Sequence, residues 1–129
     1  MIVNGLVFWG MFGLFVELCF TSMRELVIKK QWSLVGHTSI WMFPIYALGL
    51  SYGFDFVIQL ISNDMLRYLT YPLWIWAVEL AVGIPTSKRE IRLWDYRYLP
   101  QWLHWKGIIS FAHYPLWIVF GIMVELIKQ

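Results

Sequence analysis

A chain of 129 residues that is 60% hydrophobic and 14% charged falls outside soluble composition, in which about a quarter of residues carry charge. Its length holds one compact domain, 1–129, and excludes a separate soluble one, while a net charge of +2 excludes an electrostatic case for nucleic acid. Cys19 stands alone, which excludes an internal disulfide.

The N-terminal Met1-Ile2-Val3-Asn4 lacks the basic segment of a signal peptide, so the first apolar stretch is expected to be retained. That stretch, residues 4–23, approaches the roughly 20 residues a helix needs to cross a bilayer and holds one charge, Glu17. The next, 36–61, holds only Asp55 and is long enough to imply tilt or an end outside the hydrocarbon. Within it, Gly49-Leu50-Ser51-Tyr52-Gly53 is a GxxxG pattern that favours close helix contact. A polar turn, Ser62-Asn63-Asp64, predicts an antiparallel hairpin with the third stretch, 68–87, which holds Glu79. The fourth, 107–127, holds Glu125 near its end. Continuous apolar runs without strand alternation predict helices, so the expected fold is an all-α integral membrane bundle of four transmembrane helices. Pro44, Pro72 and Pro115 are expected either to free carbonyls that line a cavity or to be tolerated bends.

The connection from Ile91 to Trp105 mixes bases with Trp94, Tyr96, Tyr98, Trp102 and Trp105. Such a mixture can stack on nucleic-acid bases, but beside a membrane it reads as an interfacial aromatic-basic loop, 88–106, at headgroup level. Arg24, Lys29 and Lys30 in the first connection, with Lys88, Arg89, Arg92, Arg97 and Lys106 in the third, make eight of the ten bases. The positive-inside rule then places loops one and three in the cytoplasm, or its organellar equivalent, with both termini opposite.

The halves resemble one another. Val16-Glu17-Leu18 matches Val78-Glu79-Leu80 at an offset of 62, and the stretch from Gly36 to Pro44 matches Gly107 to Pro115 at 71, sharing Gly, Ser and Pro. Either the chain holds two helical-hairpin repeats in parallel, or the match is chance, since Val-Glu-Leu also recurs at 124–126.

An ionised carboxylate near the bilayer centre costs about 3 kcal/mol even on lenient scales, so Glu17 and Glu79 are expected to face a protein interior. Glu17 shares a helix face with Gly10, Gly13, Thr21 and Arg24, and the glycines permit close approach of a neighbour. Together with Ser39, Ser110 and His113, the two acids are expected to build one polar layer near the cytoplasmic leaflet. Asp55 and Glu125 form a weaker layer on the opposite side, with Glu125 interfacial and Asp55 reaching headgroups or Arg67. The functional reading of the main layer is a cation or proton site. Its alternative is a buried hydrogen-bond cluster or a Glu17–Arg24 pair that fixes helix register. No P-loop, GxSxG, HExxH or CxxC occurs, so no enzyme activity, cofactor or metal is expected. His37, His113, Glu17 and Glu79 would hold zinc only if packing gathered three of them.

Glu17, the run from Gly36 through Pro44-Ile45-Tyr46 to Gly49, Glu79-Leu80-Ala81-Val82-Gly83, Trp94-Asp95-Tyr96 and Gly107 resemble the transmembrane protein 229 family. Its bacterial members are catalogued as type IV ABC-transporter-like (CmpB-like) membrane proteins. The resemblance covers nearly the whole chain and implies a small multi-span membrane protein. Many bacterial members carry a second Glu four residues after the glycine, where this chain has Ser87. Trp94-Asp95-Tyr96 fits a re-entry point where Asp95 pairs with Lys88, Arg89 or Arg92, or closes over the polar layer; a plain structural turn is the alternative.

Three functional classes follow. One is a permeation or transport component for a cation, proton or small solute. A second is a non-transporting accessory subunit. A lipid-modifying enzyme ranks last, for want of a nucleophile–base spacing. Membrane lipids and either further copies or a larger membrane complex are the expected partners, and nucleic acid is not.

Overall fold

Helix α1, Ile2–Lys29, outruns the apolar stretch that predicts it. Its C-terminal end carries a Glu25–Lys29 ion pair at 3.0 Å, and a base there suits the negative end of the helix dipole. Lys30, at φ 53°, ends it. The structure is a computed structural model that describes residues 2–129, with side chains from Gly5; Met1-Ile2-Val3-Asn4, on which the signal-peptide argument rests, lies outside the described side chains.

The second helix starts at Met42, not at residue 36. Gly36 and His37 instead pack on α1: a Cβ on Gly36 would overlap the Leu18 carbonyl, and the His37 amide donates to Thr21 Oγ1 at 2.9 Å. Hydrogen bonds from Met42 to the Ser39 carbonyl and from Phe43 to that of Ile40 then turn the chain into helix. Pro44 falls in the first helical turn, where its missing N–H costs nothing. Helix α2, Met42–Leu48, leads through a π turn, Gly49–Gly53, into α3, Phe54–Leu60. The GxxxG glycines bound that turn. Gly53 lies against the Trp74 indole, whereas Gly49 has open space beside it.

Helix α4 is Asp64–Lys88, capped by Asn63, whose Oδ1 accepts from the Leu66 amide at 2.9 Å. It absorbs Pro72 and Pro85. The expected start of the fourth helix at Gly107 is also a difference. Residues 104–110 form a small hairpin instead, β1 (His104–Trp105) antiparallel to β2 (Ile109–Ser110). Lys106 and Gly107 both have positive φ, and Ile108 donates to the Trp105 carbonyl at 2.9 Å, the pattern of a type I′ turn. Helix α5, Tyr114–Lys128, follows, with Pro115 again in the first turn.

The described residues are thus mostly helical, in four helices if α2, the π turn and α3 count as one. Two stretches, Gly5–Lys29 and Met42–Leu60, are long and apolar enough to cross a membrane. The chain divides into two compact units, Met1–Tyr52 and Gly53–Gln129, with the boundary inside the π turn. In the first, the Phe43 ring would meet a Cβ on Gly10 at 2.6 Å and the Tyr46 ring would overlap one on Gly13, so the close approach expected of these glycines is realised between α1 and α2. In the second, Phe54 of α3 stacks on Tyr71 of α4 with ring centres 4.7 Å apart, and Gly121 of α5 lets that tyrosine in.

Candidate functional site

In the first unit the site is built on one face of α1. Because Gly13 has no side chain, Tyr46 lies flat against the helix, and its hydroxyl donates to Glu17 Oε2 at 2.5 Å. One turn on, the buried Thr21 hydroxyl sits 3.0 Å from the Glu17 carbonyl and 3.1 Å from that of His37, either of which accepts its proton. Arg24 is the expected ion-pair partner of Glu17, but it makes its ion pair with Glu25 at 3.5 Å and lies 3.5 Å from His37 Nε2. Glu17 is therefore hydrogen-bonded to a neutral phenol, with His37 and Arg24 acting on it through their charge at longer range. Ser39 plays a local part, its Oγ accepting from the Trp41 amide at 3.3 Å.

In the second unit Glu79 is buried on α4, and Gly83 one turn later receives Ile108. Ser110, fully buried, bonds His113 Nδ1, and the His113 ring lies between Tyr96 and Trp117, at 5.3 and 5.7 Å. Of the expected polar layer, Ser110 and His113 are brought together within this unit, joined by Tyr96. Glu17 and Ser39 belong to the other unit and are described by their own surroundings.

The offsets of 62 and 71 that relate the halves also relate contacts. They carry Thr21 to Gly83 and His37 to Ile108, and each pair touches within its own unit. The same offsets carry Glu17 to Glu79 and Tyr46 to Trp117, so the position that supplies a phenol in one half supplies an indole in the other.

The second acidic layer is where expectation and structure part. Glu125 is 3% exposed and bidentate to Arg67, with Nε to Oε2 at 2.8 Å and Nη2 to Oε1 at 2.5 Å. Tyr71 donates to the same carboxylate. Arg67 also donates to the carbonyls of Ile61 and Ser62, and to Asp64 at 2.7 Å. Asp55, expected beside Arg67, pairs instead with Lys128 at 2.9 Å. These acids are neutralised by cations that sequence spacing does not reveal.

Trp94-Asp95-Tyr96 runs back along the hairpin. Trp94 Nε1 donates to the Ile108 carbonyl at 2.9 Å, and the Tyr96 amide to that of Gly107 at 3.0 Å. Asp95 takes Arg97 Nη2 at 2.6 Å and Arg92 at 3.8 Å, so Arg97 is the main partner and only Arg92 of the expected three is used. Partial burial pushes the Asp95 carboxyl up, but hydrogen bonds from Arg97 outweigh it and hold the group below its ordinary value. Between this strip and α4 lies a shallow dent of about 10 Å³, lined by Gly83, Thr86, Ser87, Arg92 and Trp94 among others. Among the described residues no group of three His, Cys, Asp or Glu side chains gathers to hold a metal.

Sequence reasoning missed Tyr46, Tyr71 and Arg97 as partners, and offered Arg67 to Asp55 where the structure gives it to Glu125. For Tyr46 the signal was present, since a glycine one turn before an inward acid calls for a large side chain opposite. The geometry defines a mostly helical protein with two membrane-length stretches and carboxylates held in two contrasting ways. Compared with known proteins, the chain matches no family model and no solved structure.

Proposed function

We propose that the chain is a four-helix integral membrane protein and a component for permeation of a cation, proton or small solute, working through Glu17 and Glu79. The observation that carries this reading is the Glu17–Tyr46 hydrogen bond of 2.5 Å on a membrane-length helix. A carboxyl group bonded to a phenol can exchange a proton or take a cation, whereas one clamped by a guanidinium, as Glu125 is, cannot do so without breaking an ion pair. The bundle has α1, α2–α3, α4 and α5 as its spans, with loops one and three cytoplasmic. At 15 residues α5 is short for a crossing, which tilt-free insertion with local bilayer thinning accommodates. Of the non-helical residues before it, Gly107–Ser110 are buried, the condition under which irregular backbone is tolerated at membrane depth, whereas Phe111 and Ala112 are exposed. The resemblance to the transmembrane protein 229 family fits the same picture.

Flux into proteoliposomes tests the reading. Glu17→Gln, Tyr46→Phe and Glu79→Gln are each expected to reduce it at least tenfold while the protein stays folded; unchanged flux in all three overturns it. A second reading, an accessory subunit, is favoured by the apolar side chains that α1 leaves exposed at Val7, Met11 and Phe15, a surface for partner helices. Absence of flux together with constant co-purification of one larger complex selects it.

A further inference from the structure

We propose that the aromatic-basic loop after α4 docks on anionic phospholipid headgroups and selects them over zwitterionic ones. The proposal rests on the membrane reading above but not on transport. The loop divides its bases into two sets. Arg92 and Arg97 pair with Asp95 at the surface, and Arg92 also donates to the Lys106 carbonyl at 3.2 Å. Lys88, Arg89 and Lys106 point to solvent, and among the described residues none of the three has an acidic partner. Asp95 is thus spent on internal structure; the exposed Glu90 offsets one of the outward bases, and net positive charge still faces outward.

Exposed aromatic surface accompanies that charge. Trp102 is 77% exposed, Tyr98 and Trp105 are exposed too, and Lys106 lies over the Trp105 ring at 4.8 Å. Trp and Tyr partition to the boundary between headgroup and acyl chain, and bases beside them meet lipid phosphates. The loop is also fixed in shape before any lipid arrives, by the Trp94–Ile108 and Tyr96–Gly107 hydrogen bonds and the hairpin turn. Independently, the first unit's connection has the same make-up: Lys30 without an acidic partner among the described residues, beside Trp32 at 81% exposure and an exposed Trp41. Nucleic-acid bases could stack on the same rings, but the place of these aromatics and bases at the end of an apolar helix favours the lipid boundary.

The test uses the full chain in nanodiscs made from equal parts phosphatidylcholine and phosphatidylglycerol, with retained lipids counted by native mass spectrometry. Phosphatidylglycerol is expected to be enriched over its bulk share. Each base near the surface contributes about fivefold in affinity, so Lys88→Gln/Arg89→Gln/Lys106→Gln should abolish most of the enrichment, and 0.5 M salt should do the same to the unmodified protein. Equal retention of the two lipids, or enrichment unchanged in both the triple variant and high salt, overturns the proposal. Inorganic phosphate supplies the remaining arm: if it displaces the lipid at millimolar concentration, the loop binds a soluble anion and lipid docking is wrong. A chain extracted from membranes by alkaline carbonate would remove the membrane reading itself, whatever the flux.

Discussion

Arg67 and Glu125 stand 58 residues apart in the chain and meet as a buried, two-pronged ion pair between α4 and α5. Removing one partner leaves a charge in a site built for its opposite. Arg67→Gln is expected to cost about 3 kcal/mol, the low end for a broken buried pair because this one sits at the helix ends. The double variant Arg67→Met/Glu125→Leu should recover most of that loss. Thermal unfolding in detergent reads both; equal damage from the single and double variants would show that volume, not charge, sets the cost.

Gly13 and Tyr46 form a second coupled pair. Gly13→Ala puts a methyl group into the tyrosine ring and is expected to cost about 2 kcal/mol of overpacking. Tyr46→Phe removes the bond to Glu17 and should cost about 1 kcal/mol. Because both act on one ring, the combination Gly13→Ala/Tyr46→Ala should fall well short of the sum of its parts. A double-mutant cycle on unfolding midpoints measures the coupling, and strict additivity would separate the two residues.

Acid should loosen the loop through Asp95. Its folded-state carboxyl lies below the ordinary value, so its contribution is full above about pH 4 and is lost as pH falls through the folded value. Amide exchange at Tyr96 and Leu99, compared with amides in α1, should therefore accelerate on acidification. Asp95→Asn should show the faster rate already at neutral pH and no further pH step. A step of the same size in Asp95→Asn would assign the effect to another group.

Orientation is open to a direct measurement. With Cys19 replaced, single cysteines at positions 30 and 106 are expected to react with a membrane-impermeant reagent from one side, and those at 63 and 128 from the other. Labelling of 30 and 128 from the same side refutes the four-span topology.

The long helices were legible because apolar runs of bilayer length have few other uses, and the Gly10–Gly13 seam was legible from its spacing alone. The segment at 107–113 was not. Its buried Ile108-Ile109 pair reads the same in a strand as in a helix. The Lys106-Gly107 turn that decides the matter lies at the very edge of the run. Helix spacing likewise finds the face on which Glu17 lies but not Tyr46, 29 residues away, whose hydroxyl holds it. Charge partners are the least legible of all: Asp55 with Lys128 and Arg67 with Glu125 depend on packing that no local pattern encodes.

That long separation bears on how the chain is made. At roughly 5–20 residues per second, translation brings Glu125 to the ribosome about 3–12 s after Arg67. On the membrane reading α4 reaches the bilayer before α5 does, with its guanidinium still lacking its final partner. Asp64, one turn away and already 2.7 Å from Arg67 in the finished fold, is the counter-ion that the nascent helix carries with it. Asp64→Asn is thus expected to lower the yield of inserted protein in a coupled translation–insertion assay, while the protein that does assemble unfolds within about 1 kcal/mol of the original, since Asp64 itself is exposed. Arg67 is then a residue whose hardest moment comes before the fold exists.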